Sequence, residues 1–307
     1  MFSAVKLLKL RLPKRRGNKS MKPFVIVTDS GSDLSPALAE EYGVVVLSLG
    51  AELEGVPVDT KSLEGIKTFY DGMREGKETK TYACNADQFS EAFEAAIVGG
   101  NDVLYLGFTS ALSGTYTAGV IAKGMVQEKY PDARIECFDT KCASLGQGLV
   151  VYYAAMMQKD GASMDEILTF MTEFAPKMCH RFTVDDLVYL KRGGRISSTT
   201  ALVGTLLSIK PILHVSDEGK LVSLRKARGR KAAVQGLFED MKSLALNPSE
   251  HTVFISHADC MNDAQSLADM IEKEFSPKKI VIGDISPVIG AHAGPGTLAL
   301  FFYANAR

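Results

Sequence analysis

At 307 residues, the chain is long enough for one large domain or two ordinary ones with a sizeable core. Its hydrophobic fraction of 46%, charged fraction of 23% and formal net charge of −1 are those of a soluble globular protein, and they call for neither nucleic acid nor a charged membrane as partner. The five cysteines (Cys84, Cys137, Cys142, Cys179, Cys260) are scattered without a C-x-x-C pair, which suits reduced thiols and a cytoplasmic location.

Residues 1–20 are basic (Lys6, Lys9, Arg11, Lys14, Arg15, Arg16, Lys19), with Val5, Leu7, Leu8, Leu10 and Leu12 between the charges. They lack the apolar core of a signal peptide and are expected to be a disordered extension. No run approaches the ~20 apolar residues of a membrane helix, so stable membrane insertion is not expected. Phe24 to Val27 reads as a strand followed by the polar loop T-D-S-G-S-D (28–33). Ser35-Pro36 then opens a helix that stops at Gly43. Val44 to Leu49 is a second strand, and Ser62 caps a helix with Ile66, Phe69, Tyr70 and Met73 on one face. Thr79 to Asn85 reads as a loop, with Asn85 and Gln88 as the capping pair of the helix that follows.

Asp102 to Phe108 is a short apolar run, the mark of a buried strand, and a helix begins near Thr115. Between them lies T-S-A-L-S-G (109–114), a hydroxyl-rich turn from the carboxyl end of a strand to the first turn of a helix. Ligands of open α/β sheets bind at such turns, and the unpaired N–H groups of a helix start favour an acid headgroup. Two readings of Ser113 stand side by side here: a helix cap, or a ligand donor. A strand over 134–138 and a helix over 144–159 complete an alternating pattern, which implies a parallel sheet covered on both faces.

After Asp160-Gly161 the pattern changes. Ser163 to Glu166 is a capping box, Phe182 to Val184 is short and extended, and helical patches cover Leu187 to Leu190 and 198–207. Strands at Pro211 to Val215 and Leu221 to Leu224 flank Asp217-Glu218-Gly219, an antiparallel hairpin signal. Helices at 230–244 and 262–275 and strands at 252–256, 279–285 and 297–303 follow. The fold class expected is therefore α/β with two domains: a parallel-sheet domain over 21–162 and an α+β domain with an antiparallel or mixed sheet over 163–307, the ligand lying between them.

Catalytic motifs are missing. Ala111 breaks a G-x-S-x-G elbow, and neither a phosphate-binding loop nor a dinucleotide fingerprint nor H-E-x-x-H occurs. Cys179-His180 is an isolated pair without a second to complete a metal site. His292, among Gly290, Gly294 and Gly296, sits where backbone can fold closely round a ligand. Arg195, after Gly193-Gly194, and Arg228 offer guanidinium forks for phosphate, carboxylate or a partner.

F-T-S-A-L-S-G-T-Y (108–116) resembles the serine loop of the DegV family of bacterial fatty-acid-binding proteins. T-D-S-G-S-D-L (28–34), D-D-L-V-Y-L-K-R-G-G-R-I-S (185–197), K-P-I-L (210–213), K-A-R-G-R-K-A-A (226–233) and I-G-A-H-A-G-P-G (289–296) resemble its other motifs in order, from about Met21 onward. The resemblance implies that Ser113 and Thr81 hold a fatty-acid carboxyl and that His292 lies near it. Here the threonine motif reads T-Y-A-C-N (81–85) where the family has T-S-Q, and Ala293 replaces a threonine. It also implies that Arg195 and Arg228 face a kinase catalytic subunit, which phosphorylates the bound acid. The expected function is a non-enzymatic carrier of one long-chain acid such as palmitate, stearate or oleate, with no cofactor and no metal. Two alternatives remain open: an acyl hydrolase or transferase using Ser113 and His292, and a lipid-sensing regulator.

Overall fold

The structure is a computed structural model that describes residues 22–197 and 209–307. The basic extension over 1–20 and the helix expected over 198–207 lie outside the described residues. The first half builds a four-stranded parallel sheet in the order β2-β1-β6-β7, from β1 (Phe24–Asp29), β2 (Val45–Leu47), β6 (Asp102–Gly107) and β7 (Ile135–Asp139). The second half builds a six-stranded mixed sheet in the order β10-β9-β8-β13-β11-β12. Its strands are β8 (Met178–Thr183), β9 (Ile209–Val215), β10 (Leu221–Arg228), β11 (Thr252–His257), β12 (Lys279–Asp284) and β13 (Leu298–Tyr303). In it only β11 and β12 run parallel; the other neighbours are antiparallel, including the β9–β10 hairpin.

The helix starts follow local chemistry. Ser35 accepts from Leu38 N–H before α1 (Pro36–Tyr42), and Gly43 closes that helix in the left-handed region. Ser62 caps α2 (Leu63–Arg74) in the same way. Reciprocal capping boxes, Asn85 with Gln88 and Ser163 with Glu166, open α3 (Ala86–Val98) and α6 (Met164–Phe174). α4 (Thr115–Lys129) packs with α3 on one face of the parallel sheet, while α8 (Arg230–Leu244) and α9 (Met261–Phe275) cover the outer face of the mixed sheet.

Between the sheets lies α5 (Leu145–Lys159), with twelve of fifteen residues buried, as a helix apolar all round must be. Its core includes Ile26, Leu104 and Leu106 from the parallel sheet, and Met178, Phe182, Phe254 and Phe301 from the mixed one. Strand alternation sends the intervening residues outward: Val103 and Tyr105 toward α3 and α4, Leu298, Leu300 and Phe302 toward α8 and α9.

Three local expectations change. Thr79–Tyr82 is not a loop but β5, pairing with β3 (Gly50–Leu53), which in turn pairs with β4 (Val56–Pro57). Its sequence, T-K-T-Y, is too polar to announce a strand. The short extended segment at Phe182 is part of the fully buried six-residue β8, disguised by His180 and Arg181; the latter pairs with Asp240 at 3.2 Å. The glycine-rich segment around His292 forms α10 (Pro287–Ala293), with Ser286 at its start and Gly294 at its stop, the punctuation already seen in α1.

Candidate functional site

In the parallel sheet, β1 leads to β2 on one side while β6 lies on the other, so the crevice at the carboxyl ends of β1 and β6 is its topological switch point. Asp29 and Gly107 end these strands. The buried Asp29 carboxylate accepts from Phe108 N–H at 3.0 Å, the Tyr105 hydroxyl at 2.9 Å and Gly31 N–H at 3.1 Å. Burial raises its pKa above the ordinary carboxylate value, against those hydrogen bonds. Asp29 thereby fixes Phe108, the first residue of the serine loop. Farther along, Ser110 donates to Asp139 at 2.6 Å and Thr109 to Gly219 O at 3.1 Å.

The loop opens onto a cavity of about 290 Å³ between the two sheets. Leu49, Phe108, Leu112, Phe182, Val288 and Phe301 are among its apolar walls, and Thr81, Ser113, Arg195 and His292 also line it. These four come from distant elements, and Thr81 and His292 meet directly. Thr81 Oγ1, on β5, lies 2.9 Å from His292 Nε2, on α10. Arg195 follows the turn after α7 (Val188–Arg192), and its Nε donates to Leu112 O at 3.2 Å, one residue before Ser113. Its Nη1 donates to Gly193 O. A Cβ at Gly193 would collide with His292 Nδ1, so the glycine is what lets the α7 turn approach the imidazole. Burial, reinforced by the Arg195 charge, lowers the His292 pKa to about 4, and burial also lowers that of Arg195. The histidine is therefore neutral at neutral pH. Arg195 makes no ion pair among the described residues.

Ser113 stands one residue before Gly114, the N-cap of α4, which has no side-chain cap bond. Its Oγ accepts from Thr115 N–H at 3.2 Å and shares a 2.9 Å hydrogen bond with Thr115 Oγ1. It thus helps to satisfy the helix start while lining the cavity. The Ser113 and His292 side chains take different hydroxyl partners, Thr115 and Thr81 respectively. Arg228 is not in this group: it is exposed at the end of β10, opposite Ile209. No group of three His, Cys, Asp or Glu among the described residues is placed to hold a metal ion.

His180, read from the sequence only as half of an isolated Cys-His pair, lines the cavity from β8. Its Nε2 accepts from Ala143 N–H at 3.3 Å and its Nδ1 lies 3.0 Å from Met178 O, so the proton sits on Nδ1. Burial lowers its pKa to about 3, and it meets Phe301 edge-on. Both nitrogens are occupied by backbone, and the ring serves as an apolar wall. The alternation of β8 places it on the face shared with Phe182, which is the signal that could have found it.

Comparison with known proteins agrees with this architecture. A family model described as "Uncharacterised protein, DegV family" matches residues 23–305. A DegV domain-containing protein of Clostridium perfringens is 47% identical over 293 residues, covering 94% of this chain and 99% of the relative. A Thermotoga maritima protein whose structure reveals fatty acid binding function is 29% identical, with a TM-score of 0.80, covering 92% of this chain and 99% of that one. A fatty-acid-binding DegV family protein of Thermus thermophilus is 26% identical, with a TM-score of 0.80 and coverage of 92% and 99%. With the match running through both sheets and all the cavity-lining residues, the chain belongs to the DegV family.

Proposed function

We propose that the protein binds a single long-chain fatty acid in the cavity between its sheets, with the carboxylate at Thr81, Ser113 and His292. The observation that carries this reading is a largely apolar cavity with two hydroxyls, a neutral imidazole and a guanidinium that makes no ion pair among the described residues gathered on its wall. Each methylene buried contributes about 0.8 kcal/mol, so some fifteen contribute about 12 kcal/mol before the costs of association. A carboxylate in such a place needs donors. In the Nε2-protonated tautomer, His292 donates to Thr81 and turns the threonine hydroxyl proton toward the acid. Ser113 supplies the second hydroxyl, and Arg195 balances the charge. The Thermotoga and Thermus relatives, described as fatty-acid-binding, support the ligand class.

In this reading residues 21–162 supply Thr81 and Ser113, and residues 163–307 supply Arg195 and His292. The chain is a carrier without chemistry of its own: Ser113 bonds to Thr115, whereas a nucleophile needs a base within hydrogen-bond reach. The bound carboxylate is presented to a separate kinase for acyl-phosphate formation, with exposed Arg228 on the docking side. The five free cysteines support a cytoplasmic place for it, and no helix among the described residues is long and apolar enough to cross a membrane. Mass spectrometry of the purified protein under native conditions tests the reading: one long-chain acid per chain is expected, and its absence after lipid feeding counts against it.

A further inference from the structure

We infer that Asp33 is a positioning residue for the cavity, its carboxyl joining the start of α5 to the start of α10 and so holding in place the helix that carries His292. Asp33 Oδ2 accepts from Ser144 Oγ at 2.5 Å, and Asp33 Oδ1 accepts from Ser286 N–H at 3.1 Å. Ser144 precedes α5 and lines the cavity, while Ser286 precedes α10, whose Val288, Ile289 and His292 line it too. Ser144 Oγ also lies 3.0 Å from Ser256 Oγ, on β11 of the mixed sheet. One carboxyl thus gathers three segments at the seam between the sheets.

The backbone at both ends of this link is unusual. Asp33 has φ 49° and ψ 20°, and Ser144 has φ 51° and ψ −147°, regions that residues with a Cβ rarely enter. Conformations of that kind persist where the surroundings over-determine them, and the side-chain link provides that restraint.

The groups facing Asp33 are acidic or neutral. Asp284 on β12 repels its charge, and His257 on β11, itself held below its ordinary pKa by burial, lies 3.7 Å from Asp284 rather than on Asp33. Tyr70 on α2 is also near, and its hydroxyl donates to Ile285 O at 2.7 Å. No cation pairs with Asp33 among the described residues. Burial first, then Asp284, pushes the Asp33 pKa up to about 7. When protonated, the carboxyl donates to Ser144 Oγ, Ser144 donates to Ser256, and Oδ1 still accepts Ser286 N–H, so that all three bonds are kept. Loss of the proton puts an uncompensated charge beside Asp284 and loosens the seam behind His292.

This inference rests on the fatty-acid reading, and its test separates the two. Oleate affinity of delipidated protein is measured by titration calorimetry from pH 5.5 to 8.5 for wild type, Asp33→Asn and Asp33→Ala, with thermal midpoints of the unliganded proteins. Asn reproduces the protonated pattern, donating to Ser144 and accepting from Ser286. Wild type is expected to weaken as pH rises through 7, and Asp33→Asn to hold the low-pH affinity throughout. Asp33→Ala should be weaker at every pH by about tenfold, the scale of a lost buried hydrogen bond. A flat wild-type profile, or an Asn variant that keeps the wild-type slope, overturns the role of Asp33. Failure of wild type to bind oleate at any pH overturns the ligand instead. Asp33 is then judged by the thermal midpoints: wild type should lose stability relative to Asn as pH rises from about 4 to 7, so the advantage of Asn should be larger at pH 8.5 than at pH 5.5.

Discussion

The hydroxyl of Thr81 and the imidazole of His292 meet at 2.9 Å although they stand 211 residues apart. β5 delivers one and α10 the other, and neither element was evident from its own residues. The pair ties the small antiparallel sheet to the helix behind the cavity, so this part of the cavity wall depends on both halves of the chain.

Thr81→Ala and Ser113→Ala should each weaken acid retention by about 1–3 kcal/mol, the cost of leaving a charged acceptor short of a donor. Because both hydroxyls are assigned to one carboxylate, the double variant should lose less than the sum. Occupancy measured by lipid extraction checks this, and unchanged occupancy in both single variants sinks the headgroup assignment.

Gly193→Ala places a methyl where His292 Nδ1 stands, at a glycine whose φ of −70° any residue could adopt. The expected effect is displacement of the imidazole. Acid affinity should fall about as far as in His292→Gln, with little further loss when the two changes are combined. Strictly additive losses in titration calorimetry would speak for two separate sites of action.

The two arginines should separate. Arg195→Ala removes the charge beside the headgroup and releases Leu112 O, so acid affinity should drop by about 1–3 kcal/mol. Arg228→Ala, on the exposed end of β10, should leave affinity alone and slow phosphorylation by a cognate kinase, more at low salt than at high. Equal behaviour of the two variants in both assays contradicts this division.

His180 carries a pH dependence with a definite sign. Its pKa of about 3 in the folded chain lies below the ordinary 6.5, so the unfolded chain takes up the proton first on acidification. Its contribution is intact above pH 6.5 and is lost progressively as pH falls toward 3. The unfolding free energy of His180→Phe, followed by urea denaturation, should therefore depend less on pH than that of wild type in that window. A parallel pair of curves refutes the assignment.

Much of this was legible in the sequence because it was written in local chemistry. Ser35, Ser62, Asn85 and Ser163 announced their helices, and the hydroxyl loop after β6 pointed to Ser113. What stayed hidden depends on pairing over distance. Thr79–Tyr82 becomes a strand only because Gly50–Leu53 lies beside it. Arg181 can sit in a buried strand only because Asp240 of α8 neutralises it. The roles of Asp29 and Asp33 likewise come from partners tens to hundreds of residues away. Arg195, expected at the rim with Arg228, lines the cavity because its guanidinium has backbone carbonyls to hold it there.

The burial of α5 on both sides bears on how a ligand can get in. Parting the sheets would leave α5 on one of them and strip the facing side of its packing, with Phe254 and Phe301 among the residues exposed if α5 stays with the parallel sheet, at about 1.5–3 kcal/mol for each large side chain. A few such losses are a large part of the stability of an ordinary domain. A clam-shell motion about the helix is thus a costly way in. Displacing segments that leave the α5 core intact costs less, and the cavity-lining turns at Ala83, Leu112 and Arg195 are of that kind. On the fatty-acid reading, exchange of the acid would then be a matter of loop kinetics, set by these turns rather than by the strength of the walls.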